Sequence, residues 1–393
     1  MSLRVAIAGG GIGGVAAALA AARAGCTVKI FEKANEPSQA GAGIQLGPNV
    51  TRTLQSWGLG DALRAAACAP ERLQVRSAES GRVLGELRLG DAMAQCYGAP
   101  YLTLHRADLH AMLLALTKQM QIEWQLGNAV KTFQQMPQSV IAQTTDAMHE
   151  VDVLIGADGL WSSTRQQLLS DGPPNRYGHL AYRTLINQSN LPEKLRSQNV
   201  TAWLGSKMHV VQYPVRGGQW LNVVAFVHGE VPDDFQNWDH SANAAALTRE
   251  MASCCSQLQG ALQAAPDWRL WVMHDRPPMQ SAHQMARGRV ALLGDAAHPM
   301  RPYLAQGAGM AIEDAAQLGW VLNGATAAKA PAALQNYANN RWQRNSRVQA
   351  RALRNGQIFH AEGLVRWGRD VAMKLLGGKL LNIPWLYGYR QRF

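Results

Sequence analysis

The sequence predicts an α/β fold in which a discontinuous doubly wound domain carries a strand-rich second domain and the chain ends in helices. Three observations carry this. An apolar run, a glycine-rich turn and an alanine-rich stretch open the chain. Two later apolar runs each end in a turn of glycine and aspartate, and the segment between those two runs alternates like antiparallel strands broken by Pro and Gly.

Leu3 to Ala8 is a short apolar run of the kind that fills a buried parallel strand, Val15 to Ala24 has high helix propensity, and Val28 to Glu32 is the next strand. Together they form a βαβ unit, the mononucleotide-binding half of a doubly wound sheet. Gly9-x-Gly11-x-x-Gly14 lets the backbone turn tightly and approach a pyrophosphate, whose charge then sits on the amides and dipole of the following helix. Glu32, with Lys33 beside it, stands at the end of the second strand, where a carboxylate accepts hydrogen bonds from ribose hydroxyls. A glycine turn with a solvent-facing Glu32 is the structural alternative, and this motif alone does not separate FAD from NAD.

After a loop from Gly41 to Asn49, Val50 to Ala66 reads as a helix, Leu73 to Leu89 as antiparallel strands and Asp108 to Gln119 as a helix. Val151 to Ile155 is a buried strand ending in Gly156-Ala157-Asp158-Gly159, with Ser162, Ser163 and Arg165 following. From Gly178 to Val272 the chain is strand-rich and reads as a substrate-side domain. Val290 to Leu293 is a third parallel strand, ending in Gly294-Asp295-Ala296-Ala297-His298-Pro299, and Gly309 to Leu322 and Leu334 to Ile358 are helices, the second polar-faced. The cofactor domain is therefore expected at 1–72, 98–177 and 275–330, the substrate domain at 73–97 and 178–274, and a helical segment at 331–393.

The 393 residues, 47% of them hydrophobic, suffice for two or three lobes. No apolar run is long enough for a membrane span, and Gly9, Gly10 and Gly11 interrupt the N-terminal one, so a signal peptide does not fit either and the cytoplasm is the expected location. Five cysteines without a C-x-x-C spacing indicate neither a disulfide framework nor a metal site. A formal charge of +11 and a pI of about 9.7 favour anionic partners. The basic residues are scattered and no nucleic-acid motif occurs, so the expected partner is an anionic small molecule, not nucleic acid. The apolar stretch Leu375 to Leu386 reads either as ordinary packing or as a contact for a polyprenyl tail or membrane surface.

With GxGxxG, the Asp158 segment and the Asp295 segment in this order, and with GAGIQLGPN (Gly41 to Asn49) and LHRADLH (Leu104 to His110), the sequence resembles the single-component FAD-dependent aromatic hydroxylases nearly end to end. That group includes salicylate, 3-hydroxybenzoate and 6-hydroxynicotinate hydroxylases. The resemblance implies a p-hydroxybenzoate hydroxylase-like fold with a Rossmann-like FAD domain. It implies that NADH or NADPH reduces FAD, O2 adds at flavin C4a, and the hydroperoxide hydroxylates a small hydroxylated aromatic acid. It also implies site roles: Gly9, Gly11, Gly14, Glu32 and Lys33 at the ADP-ribose end and Arg106 along the pyrophosphate. Gly43, Ile44 and Gln45 would lie near the ring, Asp158 in a turn shared by FAD and NAD(P)H, and Asp295 on the ribityl chain. The amides of Gly307, Ala308 and Gly309 would face the flavin edge where negative charge develops on reduction. Asp158 as a plain turn residue is the alternative, and His298, followed by Pro299, reads as structural.

On the substrate side, alternation along His209-Val210-Val211-Gln212-Tyr213-Pro214 places His209, Val211 and Tyr213 on one face. Hydroxylation proceeds faster on a phenolate, so His209 is the candidate base and Tyr213 the candidate orienting group, against the alternative of a sheet histidine with a satisfied hydrogen bond. Tyr303 is a third candidate. Pro302 stands where the 3-hydroxybenzoate enzymes carry glutamine, which leaves the ring position attacked open. Arg183, Arg216 and Arg301 are the arginines available for a substrate carboxylate. A flavin halogenase would show W-x-W-x-I-P, and Trp268-Arg269-Leu270-Trp271 has the wrong spacing. A hydroxylase of a quinone-pathway or other larger aromatic, a flavin-binding module without oxygenation, and assembly as a homodimer all remain compatible with the sequence.

Overall fold

The computed structural model describes residues 2–36, 42–229 and 244–391, so Gly41 and part of the strand-rich segment lie outside the described residues. A six-stranded sheet runs in the order Ala286–Arg287, Val290–Leu292, Val153–Gly156, Arg4–Ala8, Thr27–Phe31, Glu123–Gln125, and all its pairings are parallel except the first. Val151 falls outside it, in a small antiparallel sheet with Val140–Gln143 and Thr132–Gln135. The break lies at Asp152, whose carboxylate accepts from the Arg4 amide at 2.8 Å and from its guanidinium at 2.8 Å.

The helix Ile12–Arg23 is alanine-rich because it is sandwiched. Val15 to Ala21 are all buried, and a Cβ at Gly319 of helix Gly307–Leu322 would lie 2.9 Å from the Ala20 carbonyl oxygen, so small side chains are needed on both sides of that contact. The single helix expected over 50–66 is instead Pro48–Leu54 and Gly60–Ala66, joined by a π-turn at Gln55–Leu59 in which Gly58 takes φ +88. A left-handed residue cannot continue an α-helix, which is why the periodicity there misled.

The second sheet has seven strands in the order Arg269–Asp275, Asn175–Asn187, Trp220–His228, Met208–Val215, Val200–Leu204, Arg72–Ser77, Val83–Arg88. Gly90–Tyr97, at the end of the stretch expected to join it, is a helix. One face of this sheet is covered by helices Ala244–Glu250 and Ser256–Gln263, where Val210, Val223 and Ala225 pack with Leu258 and Trp268. The other face meets a two-stranded sheet of Gly43–Leu46 and Leu102–His105 and the turn that carries Tyr303. Helices Ala330–Phe359, Gly363–Leu381 and Pro384–Tyr387 end the chain, and the polar residues Arg341, Asn345 and Gln349 of the first point inward, not to solvent. Among the described residues no helix is long and apolar enough to cross a membrane.

Candidate active site

The glycine turn has the shape its spacing implies. Gly9 adopts φ +103, and a Cβ there would lie 2.4 Å from the Ala157 carbonyl oxygen. At Gly14 a Cβ would meet the Gly9 carbonyl oxygen at 1.9 Å, so the helix can start against the strand only without a side chain. A Cβ at Gly11 meets nothing within 4 Å, so the turn is open on the side where a pyrophosphate would lie. The Glu32 carboxylate accepts from the amides of Gly10 at 2.6 Å and Ala34 at 2.9 Å, bracing the turn, while Lys33 is exposed. His110 of the LHRADLH segment hydrogen-bonds the Gly10 carbonyl at 2.7 Å, a support that its sequence position did not announce.

Asp158 is occupied by its own turn. Its carboxylate accepts from the hydroxyls of Ser162, Ser163 and Thr164 and from the Thr164 amide, at the start of helix Ser163–Leu169. Asp158 thus braces the turn into a helix whose N-cap is Ser162, which accepts from the Arg165 amide at 2.9 Å. Arg165, buried one step further on, donates to the carbonyls of Ala296 at 3.0 Å and Ala297 at 2.7 Å, so the Asp158 segment is stapled to the Asp295 loop.

Asp295 is exposed, yet the protein around it pushes its carboxyl up from the usual range, with His298 and Arg106 opposing. Both hold together when the side chain lines a cleft that penetrates the molecule. Half-buried Arg106 faces it there, its basicity lowered by burial and partly restored by Asp295. Helix Gly307–Leu322 begins beside the same carboxylate, and a Cβ at Gly307 would come within 4.0 Å of it. Gly309 permits the approach of Val50, 2.8 Å from where its Cβ would be. An open glycine turn and a helix start with amides for anionic and carbonyl oxygens, an arginine for a pyrophosphate and the Asp295 carboxylate as acceptor for hydroxyls suit an extended, anionic dinucleotide with a polar ring edge, so the residues fit FAD.

A buried ion network holds this arrangement. Arg341 donates to Glu313 at 2.9 Å and Asp314 at 2.7 Å, and Arg344 donates to both Glu313 oxygens. Asp314 also accepts from His298, Asn345 and the Gly294 amide, and Glu313 accepts from Asn49. Against the cost of burial, His298 and Arg341 hold the Asp314 carboxyl well below its ordinary range. His298 is thus structural, and the network clamps the Asp295 loop, the Gly47–Asn49 turn and two helices together.

The substrate side is set by strand register. His209 pairs with Phe226, Val211 with Val224 and Tyr213 with Asn222, while Ala181, Arg183 and Leu185 pair with the same three partners from the other side. Directly paired residues share a face, so the inner face carries three rows: Tyr213, Asn222 and Leu185; Val211, Val224 and Arg183; His209, Phe226 and Ala181. The first row is roofed by Gly43–Leu46, where Asn222 accepts from the Gly43 amide at 2.7 Å and Gln45 meets both Tyr213 and Tyr101. The third is roofed by Tyr303, whose ring lies edge-on to His209 at 5.0 Å and whose hydroxyl bonds His179. Between them lies the valine row, where half-buried Val211, Met300 and Leu304 pack against one hydrophobic cluster, while half-buried Ile44 packs against the core of the first sheet.

Of the three candidate arginines, Arg301 pairs with Asp275 at 2.7 Å and Arg216 with Asp108 at 3.4 Å. Arg183 stacks over Trp271 at 3.7 Å, its Nε has no hydrogen-bond partner among the described residues, and burial lowers its pKa to about 10, which still leaves it charged.

The sequence did not reveal the histidine cluster behind Tyr303. His209 Nδ1 lies 2.6 Å from His360 Nε2, and His360 Nδ1 lies 2.9 Å from Nε2 of exposed His228. His179 stacks on His360 at 4.7 Å, with Arg301, Arg369, Lys207 and Glu362 as the charged neighbours. Ring nitrogens of His179, His228 and His360 come within 4.8 Å of one another, and two of them, His228 Nε2 and His360 Nδ1, are engaged with each other at 2.9 Å. Burial, reinforced by the neighbouring cations and rings, depresses His179 to about 4 and His360 to about 3, and holds His209 well below the usual range. Since an unfolded histidine titrates near 6.5, the stability contributed by these neutral rings is complete above about pH 6.5 and is lost as pH falls toward the folded values. Each ring contributes a slope of up to about 1.4 kcal/mol per pH unit in that window. The melting temperature should therefore fall steeply between pH 6.5 and 4.5, and less steeply in His179→Asn.

A family model described as an FAD binding domain matches residues 2–352. The 3-hydroxybenzoate 6-hydroxylase of Polaromonas naphthalenivorans (strain CJ2) is 34% identical over 391 residues, covering 98% of this chain and 96% of the relative. The 6-hydroxynicotinate 3-monooxygenase of Bordetella bronchiseptica is 34% identical over 356 residues, covering 88% and 89%. A solved salicylate hydroxylase in complex with substrate superposes with a TM-score of 0.84 at 28% identity, over 99% of this chain and 96% of the other. The likeness thus spans both sheets and the terminal helices.

Proposed function

The chain belongs to the FAD-dependent aromatic hydroxylases, and from that premise we propose that it uses NADH or NADPH and O2 to hydroxylate a small hydroxylated aromatic acid of the hydroxybenzoate, salicylate or hydroxynicotinate type. The observation that carries this reading is the middle row of the inner sheet face. Val211 and Val224 form an apolar floor, and Arg183 stands at its side as a half-buried cation that makes no ion pair with a carboxylate among the described residues. A planar ring packs on the valines, its carboxylate meets Arg183, and its phenolic oxygen is directed at His209.

FAD, when bound, supplies the redox chemistry, accepting a hydride from the nicotinamide and delivering one atom of O2 to the ring. Glu32 and the glycine turn would hold its adenosine end, and Arg106, Asp295 and the amides of Gly307–Gly309 its middle and ring edge. His209 is the proton acceptor. The two hydrogen bonds admit the tautomer that a relay requires, in which His209 Nδ1–H donates to His360 Nε2 and His360 Nδ1–H donates to His228 Nε2. His209 Nε2 then takes the phenolic proton, and transfer along the line ends at exposed His228. The burial that makes a resident cation costly at His209 and His360 favours finishing at the surface. Tyr213, held by Gln45, closes the opposite end, and Tyr303 acts as a wall, its hydroxyl being engaged by His179.

Substrate-stimulated NAD(P)H oxidation across hydroxybenzoates, hydroxypyridine carboxylates and the corresponding phenols tests the reading. Arg183→Gln should raise KM for the acids roughly 10- to 100-fold, the equivalent of one charge-assisted hydrogen bond, with little change in kcat and none for the phenols. An equal loss on phenols, or a wild-type enzyme indifferent to every hydroxylated acid, overturns it.

A further inference from the structure

Six of the eleven large hydrophobic side chains exposed among the described residues lie on one helix, Gly363–Leu381. Leu364 is 87% exposed, Val365 71%, Trp367 68% and Leu375 76%, with Leu376 and Leu380 beside them. Leu364, Val371 and Leu375 follow a spacing of seven and four residues, which keeps them on one side of a helix about 28 Å long. This face is not outward for want of a firm seat. On the inner side Met373 and Arg369 are buried, and Gly377 lets the helix backbone press on strand Val83–Arg88, where its Cβ would lie 3.0 Å from the Gly85 Cα. Arg366 grips Glu79 with two hydrogen bonds, and Arg369 donates to the carbonyls of Ile358 and Phe359.

Charge decides what the outer face fits. Asp370, the helix's sole carboxylate, is taken by Arg369. Lys374 and Lys379 are exposed and make no ion pair among the described residues, on a protein whose formal charge is +11. In a two-fold pairing of two copies the face would meet itself, setting lysines against lysines with no carboxylate between them. A bilayer surface carrying anionic headgroups offers what a second copy lacks: an apolar layer for the leucines, an interfacial zone for Trp367 and negative charge for the lysines. We propose that this helix is an in-plane docking element by which the enzyme binds the surface of an anionic lipid bilayer. Both ends of the helix run into the site already described, since His360 precedes it closely and Tyr387 beyond it packs on Gly47. Docking thus places the substrate side next to the membrane face.

The test is sedimentation of the FAD-loaded enzyme with vesicles of phosphatidylcholine alone and of phosphatidylcholine mixed with phosphatidylglycerol. The enzyme should partition to the mixed vesicles, remain in solution with the neutral ones, and be released by salt. In a Leu364→Glu/Leu375→Glu variant that keeps its flavin absorbance and melting temperature, partition should fall roughly tenfold or more. Failure to sediment with either vesicle overturns the proposal. So does light scattering that shows a dimer in the parent and a monomer in the variant, which would assign the face to a second copy.

Discussion

His209→Asn is expected to lower the rate of ring hydroxylation roughly hundredfold to ten-thousandfold, the range associated with loss of a positioned general base, while reduction of the flavin by NAD(P)H is spared. Asparagine can keep a hydrogen bond toward His360 Nε2, so the pocket wall with Phe226 and Tyr303 should survive. What it cannot do is take a proton at one atom and release another on the far side of the ring. The phenol would then meet the oxygenating flavin still protonated, and reducing equivalents would be spent without product. Product formed per NAD(P)H consumed is therefore the decisive measurement, and unchanged coupling removes His209 from the role of base. Reduction rates measured in the same variant separate this outcome from a simple failure to bind substrate.

Arg341→Met should destabilise the folded protein by about 3–5 kcal/mol, the usual cost of stranding buried carboxylates. Arg341 is fully buried and its two ion pairs run to Glu313 and Asp314, both also fully buried. Arg344 can still neutralise Glu313, but Asp314 would keep only His298, Asn345 and the Gly294 amide. The same carboxylates position the start of the helix carrying Gly307–Gly309 and the loop carrying Asp295, so weaker FAD retention should accompany the lower denaturation midpoint. A loss below about 1 kcal/mol, the level of a surface ion pair, would show that the network is solvated and does not act as a clamp.

The FAD half was legible because its information is local. Strand, turn, helix and acid fall within the first thirty-odd residues, and Gly14 answers a contact with Gly9 inside the same turn, while Gly9 takes φ +103 and also faces Ala157 of a later strand end. The Asp295 segment was legible as a turn that ends an apolar strand, and the Gly307 segment as the glycine-rich start of a helix. Alternation along Met208–Val215 likewise put His209 and Tyr213 on one face, which the register confirms. Several expectations were refined. Asp158 serves its own turn, Arg301 and Arg216 have carboxylate partners, the helix over 50–66 breaks at Gly58, and the polar face of Ala330–Phe359 turns inward.

By itself the sequence carried, in three motifs of fixed order, the resemblance that implies FAD and aromatic hydroxylation, and alternation within one strand set His209 and Tyr213 on a common face. Tertiary structure alone decided which arginine is left for a carboxylate, that His209 leans on His360 from a helix 151 residues away, and that Arg341 closes on Glu313 and Asp314. These depend on the register between strands and on how distant helices seat, where a one-residue slip would turn every side chain to the opposite face. The pairing His179 to His228 exists only once that register is chosen, and the line from His209 through His360 to His228 only once the end of the long helix is seated against it.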